Sequence, residues 1–141
     1  MTRWSRLNTT HVVAGAAGVI LFLLTGQFMD RELDHLRGMA DGLRALYRSA
    51  HIYILFSALL NLALGAYLGL ARSRPGVIVQ TCASALVVVA LALFAYGFFM
   101  ETPAGTIERP MIRLGIVLSF WGVVLHGIAS YADRSMDTTG S

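Results

Sequence analysis

Lysine is missing from this chain: all 11 basic residues are Arg, an absence that base composition alone can produce. Charge of either sign is scarce. Only 13% of residues are charged, where a soluble domain carries roughly 25%. The small net charge of +3 comes with no basic run, which excludes a nucleic-acid surface. There is one cysteine, Cys82, so no disulfide forms within the chain and a CxxC redox pair is excluded. Its apolar surroundings predict a small buried residue. None of the eight acidic residues falls inside a long apolar run, which removes the embedded carboxylate that proton-coupled exchange commonly uses. No Ser or Cys sits in a recognisable nucleophile elbow, so the chain is not expected to be an enzyme. His35, His51, Asp30, Glu32 and Asp34 match no metal-ligand spacing.

What remains is apolar. Hydrophobic residues make up 56% of the 141, and mean hydropathy is +0.65. Four runs reach the roughly 20 residues that a spanning helix needs, at about 11–29, 50–71, 77–100 and 111–132. Lipid leaves the backbone of such runs no partner but itself, so each must be helical. The expected fold is an all-α integral membrane four-helix bundle forming one domain, with a tail at 133–141. Pro75-Gly76 punctuates the second and third runs, Pro103 follows the third, and Pro110 stands where a helix takes its first residue. Trp4, Tyr47, Tyr96 and Tyr131 lie near run ends, as an interfacial belt requires. No small-x-small cleavage site follows the first run, so it is expected to be retained.

The 30–49 connection is too long for an idle turn. Leu33, Leu36, Leu43, Leu46 and Tyr47 recur at helical spacing, and Asp34/Arg37 and Asp41/Arg44 are i,i+3 pairs. A short amphipathic helix on the membrane surface is expected there, between the first and second spans. Arginine counts orient the bundle weakly, five on the side of the termini against six on the other. The short, Arg-flanked turn at 72–76 places both termini in the cytoplasm.

Polar and small residues inside the runs carry the functional candidates. His11, Gly15, Gly18, Phe22, Thr25 and Met29 share one helix face to within about 40°. His126 shares a face with Gly122, Ser119 and Gly115. At about 1.5 Å per residue, both histidines lie at similar depth on the same side of the membrane. Two imidazoles from facing helices, with glycines a turn or two away, could hold haem b, with Arg3, Arg6, Arg72 and Arg74 near its propionates. His11 and His126 would then be axial ligands, with Gly15, Gly18 and Gly122 making room, in an electron-transfer protein. Ser57, Asn61, Gly65 and Gly69 form a small-xxx-small stripe suited to helix packing, with Asn61 bonding across an interface.

The leading expectation is a non-catalytic accessory or scaffold subunit, working in the bilayer as a homo-oligomer or within a larger membrane complex. The haem protein is one alternative. A small oligomeric channel or transporter lined by Ser57, Asn61 and the histidines is another.

At "FLLTGQFMD" and "LYRSAHIYILFSALLNLALG" the chain resembles small four-span bacterial membrane proteins of uncharacterised function. The resemblance implies a multi-pass protein of the bacterial cytoplasmic membrane and brings no activity with it. It draws interest to Gln27, Arg48 and His51, at the outer ends of consecutive runs, as a polar cluster.

Overall fold

A computed structural model describes residues 6–139, with side chains through 132. Arg3, Trp4 and the side chains of the 133–141 tail lie outside the described residues. Among those described there are four α-helices and no strand: α1 (Arg6–Arg31), α2 (Asp41–Tyr67), α3 (Arg74–Met100) and α4 (Pro110–Thr139). Each is long and apolar enough to cross a membrane, so the chain is built as a multi-pass membrane bundle.

The bundle is two helical hairpins laid together. α1 packs chiefly on α2, and α3 on α4, with α3 touching both helices of the first hairpin. Glycines set the closeness within each hairpin. A Cβ at Gly65 would lie 2.5 Å from Val12 Cγ2 and 3.1 Å from the Asn8 carbonyl oxygen. In the second hairpin, Gly97 lies against Ile112 and Gly115 against the Phe94 ring. Small residues let backbones approach, and dispersion then does what the hydrophobic effect cannot do between helices in lipid. Apolar side chains on the outer faces, such as Ile20, Leu23, Leu24 and Ile78, are correspondingly exposed. Cys82 is exposed too, on the outer face of α3, and not buried as expected.

No separate surface helix forms between α1 and α2. Its helical spacing belongs instead to the first turns of α2, which begins at Asp41, while α1 runs on to Arg31. Between them lies only a three-residue 3-10 turn, Asp34–Leu36. All three residues have positive φ, as does Gly38, so a right-handed helix cannot continue through them. The turn tucks Leu36 into the core beside Tyr47 and Phe98, and His35 pairs with Asp30. Tyr47 is therefore buried, its ring edge-on to Phe98, and is no part of an interfacial belt.

Side chains close the helix ends. Glu101 receives the amides of Met111 (2.7 Å) and Ile112 (3.1 Å), satisfying two orphan donors at the start of α4. Its negative charge also complements the helix dipole there. Glu101→Gln is expected to lower stability by about 1 kcal/mol, read from thermal unfolding in detergent. α2 ends at Tyr67, four residues earlier than its apolar run. Asn8 Nδ2 donates to the Gly65 and Leu68 carbonyls, Gln80 Nε2 donates to the Gly69 carbonyl, and Gln80 Oε1 accepts from the Ala71 amide. The 68–73 linker is thus held by α1 and α3. Gly69 lies in this linker with open space around it, outside the packing stripe.

Candidate functional site

Four buried polar side chains, one from each helix, meet inside the bundle: His11, Asn61, Ser84 and His126. Their hydrogen bonds form a single directed ladder. The Asn61 amide nitrogen donates to the Ser57 carbonyl at 2.9 Å, which fixes the amide orientation and turns Oδ1 toward α1. Oδ1 can only accept, so His11 Nδ1–H donates to it, at 2.8 Å. A neutral His11 then has a bare lone pair on Nε2, which Ser84 Oγ–H fills at 2.9 Å. Having used its one hydrogen, Ser84 Oγ accepts from His126 Nε2–H over a longer 3.3 Å. The ladder ends on His126 Nδ1, which is buried, carries a lone pair and has no partner among the described residues.

Ser84 is the member that face-by-face reading passes over. It closes the small polar stretch of Gln80, Thr81 and Cys82 near the start of α3, and nothing in the sequence sets it apart from those neighbours. The available signal was depth: a hydroxyl on α3 level with both histidines. Asn61 does bond across an interface, to His11, while Ser57 is buried with its hydroxyl unpartnered.

The histidines are close, with ring centroids 5.8 Å apart and planes at 66°. The surroundings nonetheless do not fit haem. Both Nε2 atoms face the Ser84 hydroxyl, which stands where iron would have to be. The glycines expected to make room are already filled. A Cβ at Gly15 would lie 2.6 Å from Leu62 Cγ, at Gly18 2.7 Å from Ala58 Cβ, and at Gly122 2.5 Å from Val87 Cγ2. A flat macrocycle between the imidazoles would have to displace α2 and α3. These glycines are helix contacts, and the histidines are structural members of the ladder.

The polar cluster expected at the outer end is also rearranged. His51 Nδ1 bonds Thr25 Oγ1 at 2.9 Å, and the His51 ring stacks on Phe22 with centroids 4.0 Å apart. Gly26 admits that ring, since a Cβ there would lie 3.3 Å from His51 Cε1. Gln27 and Arg48 are both exposed and take no part. Thr25 explains the difference. Its hydroxyl is already anchored on its own helix at the Leu21 and Phe22 carbonyls, directly opposite His51, whereas Gln27 lies on the outer face.

Between α2 and α4 the bundle is open. α2 packs on α1 and α4 packs on α3, and the two do not close on each other. One cavity of about 530 Å³ lies toward the 68–72 linker, walled by Leu60, Leu64, Tyr67 and Val123, with His126 and Ser130 on the α4 side. A second of about 470 Å³ continues from Val123 past Tyr53, Phe56 and Phe120, with Ser119 on its wall. Ser119 Oγ is buried and unpartnered. Among the described residues no three His, Cys, Asp or Glu side chains come together. Comparison of the chain with family models, with curated proteins and with solved structures returns no match.

Proposed function

We propose that this chain is a non-catalytic membrane bundle, an accessory or scaffold subunit of a bacterial cytoplasmic membrane, with both termini on the cytoplasmic side. The observation that carries the reading is the ladder. His11, Asn61, Ser84 and His126 are bonded to one another, joining four helices with neutral hydrogen bonds, and none of the four is poised as a nucleophile or an acid–base pair. Polar pairs of this kind fix which helices meet and in what register. The glycine contacts serve the same end. The outer faces offer apolar surface to lipid and to neighbouring subunits, by the same small-residue and dispersion contacts that build the hairpins.

Cys82 provides the test, because it is exposed on α3 and is the chain's one thiol. A bifunctional maleimide applied to native membranes is expected to give a discrete adduct larger than the monomer, absent in Cys82→Ser. A protein that stays monomeric under this treatment, or one that purifies with a visible chromophore lost in His11→Ala, would overturn the scaffold reading. A reporter fused after residue 141 is expected to read as cytoplasmic.

A further inference from the structure

The open cleft between α2 and α4 is more than a gap, because the ladder ends on a residue of its wall. His126 is 4% exposed, lines the larger cavity, and ends the ladder on an Nδ1 acceptor with no partner. A buried acceptor left bare is costly, the more so away from water, and a ligand with an O–H or N–H donor relieves that cost. The walls on either side are apolar, so the rest of the ligand must be apolar as well. The second cavity shares Val123 with the first and is walled almost wholly by apolar side chains, which suits a tail.

The spacing narrows the class. Ser130 lies one helical turn beyond His126 on α4 and lines the same cavity. Side chains four apart on a helix stand about 5–6 Å from each other. That is the span between two hydroxyls on opposite corners of one six-membered ring. Arg72 borders the cavity at its linker end, which Gln80 and Asn8 hold in place.

We propose that this cleft binds a lipid-soluble para-hydroquinone. One hydroxyl donates to His126 Nδ1, the other reaches Ser130, and the tail lies along Tyr53, Phe56 and Phe120. The site goes beyond the scaffold reading and stands whether or not the chain joins a larger assembly.

The ladder makes the site selective for oxidation state. A quinone carbonyl has no hydrogen to give to His126 Nδ1. For His126 to donate instead, its Nε2 must accept from Ser84. Ser84 then withdraws its hydrogen from His11 Nε2, and His11 cannot compensate because its Nδ1–H is committed to Asn61. One buried acceptor is stranded whichever way the ladder runs. The oxidised ring should therefore bind more weakly by on the order of tenfold.

The test is calorimetry on the full chain in detergent, under anaerobic conditions. The probes are a decyl-substituted para-hydroquinone, its quinone, and 1-dodecanol. Saturable binding of the hydroquinone is expected, about tenfold weaker for the quinone. His126→Leu should abolish that difference. Should that variant fail to fold, Val123→Trp serves in its place, since Val123 is exposed on the wall shared by both cavities and makes none of the ladder's hydrogen bonds. Val123→Trp should remove binding and leave the unliganded melting temperature unchanged. Equal affinity for the two oxidation states, or binding that survives Val123→Trp, would overturn the proposal. Dodecanol bound as tightly as the hydroquinone would do so too, and would make the cleft a site for simple lipid alcohols.

Discussion

Asn61→Leu is expected to destabilise the bundle by about 2 kcal/mol, and His11→Leu by a similar amount. The double variant should lose less than the sum, by about 1 kcal/mol. The side chains are wholly buried, and Leu keeps the branched outline of Asn at a larger volume, so some overpacking adds to the Asn61→Leu cost. What changes most is the fate of the partner. With Asn61 gone, His11 Nδ1–H faces hydrocarbon; with His11 gone, Asn61 Oδ1 does. Removing both leaves neither stranded, and Ser84 keeps His126. Interhelical hydrogen bonds in membranes average only about 0.6 kcal/mol, because the unfolded helices find other partners. The stranding term therefore makes up most of the effect. Ser57→Ala is the control: its hydroxyl has no partner, so its loss should cost close to nothing. Equilibrium unfolding in mixed detergent measures all four. Strictly additive losses for His11 and Asn61 would mean that the bond contributes no stability.

Sequence made the spans legible because apolar length is a one-dimensional property. The same holds for helix faces: the lines through His11 and through His126 could be drawn from 100° steps, and those two residues do lie together. Which neighbour a face meets is not one-dimensional. Gly15 and Gly18 read equally well as space for a ligand or as contact with a helix, and only the position of α2 decides between them. Asn61 and Ser84 belong to the same ladder for that reason, yet each shows in its own helix only as a small polar residue. The 30–49 connection misleads differently. Leu43, Leu46 and Tyr47 are periodic because α2 starts early. The break that precedes them lies in the backbone angles of Asp34, His35 and Leu36, residues with no glycine to announce positive φ. The end of α2 is decided from elsewhere, by Asn8 and Gln80 reaching in from α1 and α3.

Gly15→Ala should be strongly damaging, costing about 3 kcal/mol, because among the described glycines a Cβ there would come nearest to backbone atoms of a neighbouring helix. An added Cβ would stand 2.6 Å from Leu62 Cγ, 2.8 Å from the Leu62 amide nitrogen and 2.9 Å from the Ala58 carbonyl oxygen. A flexible side chain could swing away, but two of these atoms belong to the backbone of α2, so α1 as a whole must back off. The retreat would be felt one turn away, where His11 meets Asn61 at 2.8 Å, so the steric cost should bring a hydrogen-bond cost with it. That coupling separates the prediction from simple overpacking. In the Asn61→Leu background there is no bond left to strain, and Gly15→Ala should cost measurably less, by about 0.5–1 kcal/mol. Gly42→Ala is the contrasting case. It lies in the first turn of α2 with nothing within 4 Å of the new methyl, and helix propensity alone should stabilise the protein by about 0.5–1 kcal/mol. The pair tests whether glycine in this chain is a matter of contact or of composition. If Gly15→Ala and Gly42→Ala shift the unfolding midpoint alike, the close approach of α1 to α2 is not what holds the hairpin. If they shift it in opposite directions, the glycines on the histidine face are there to bring Asn61 within reach of His11.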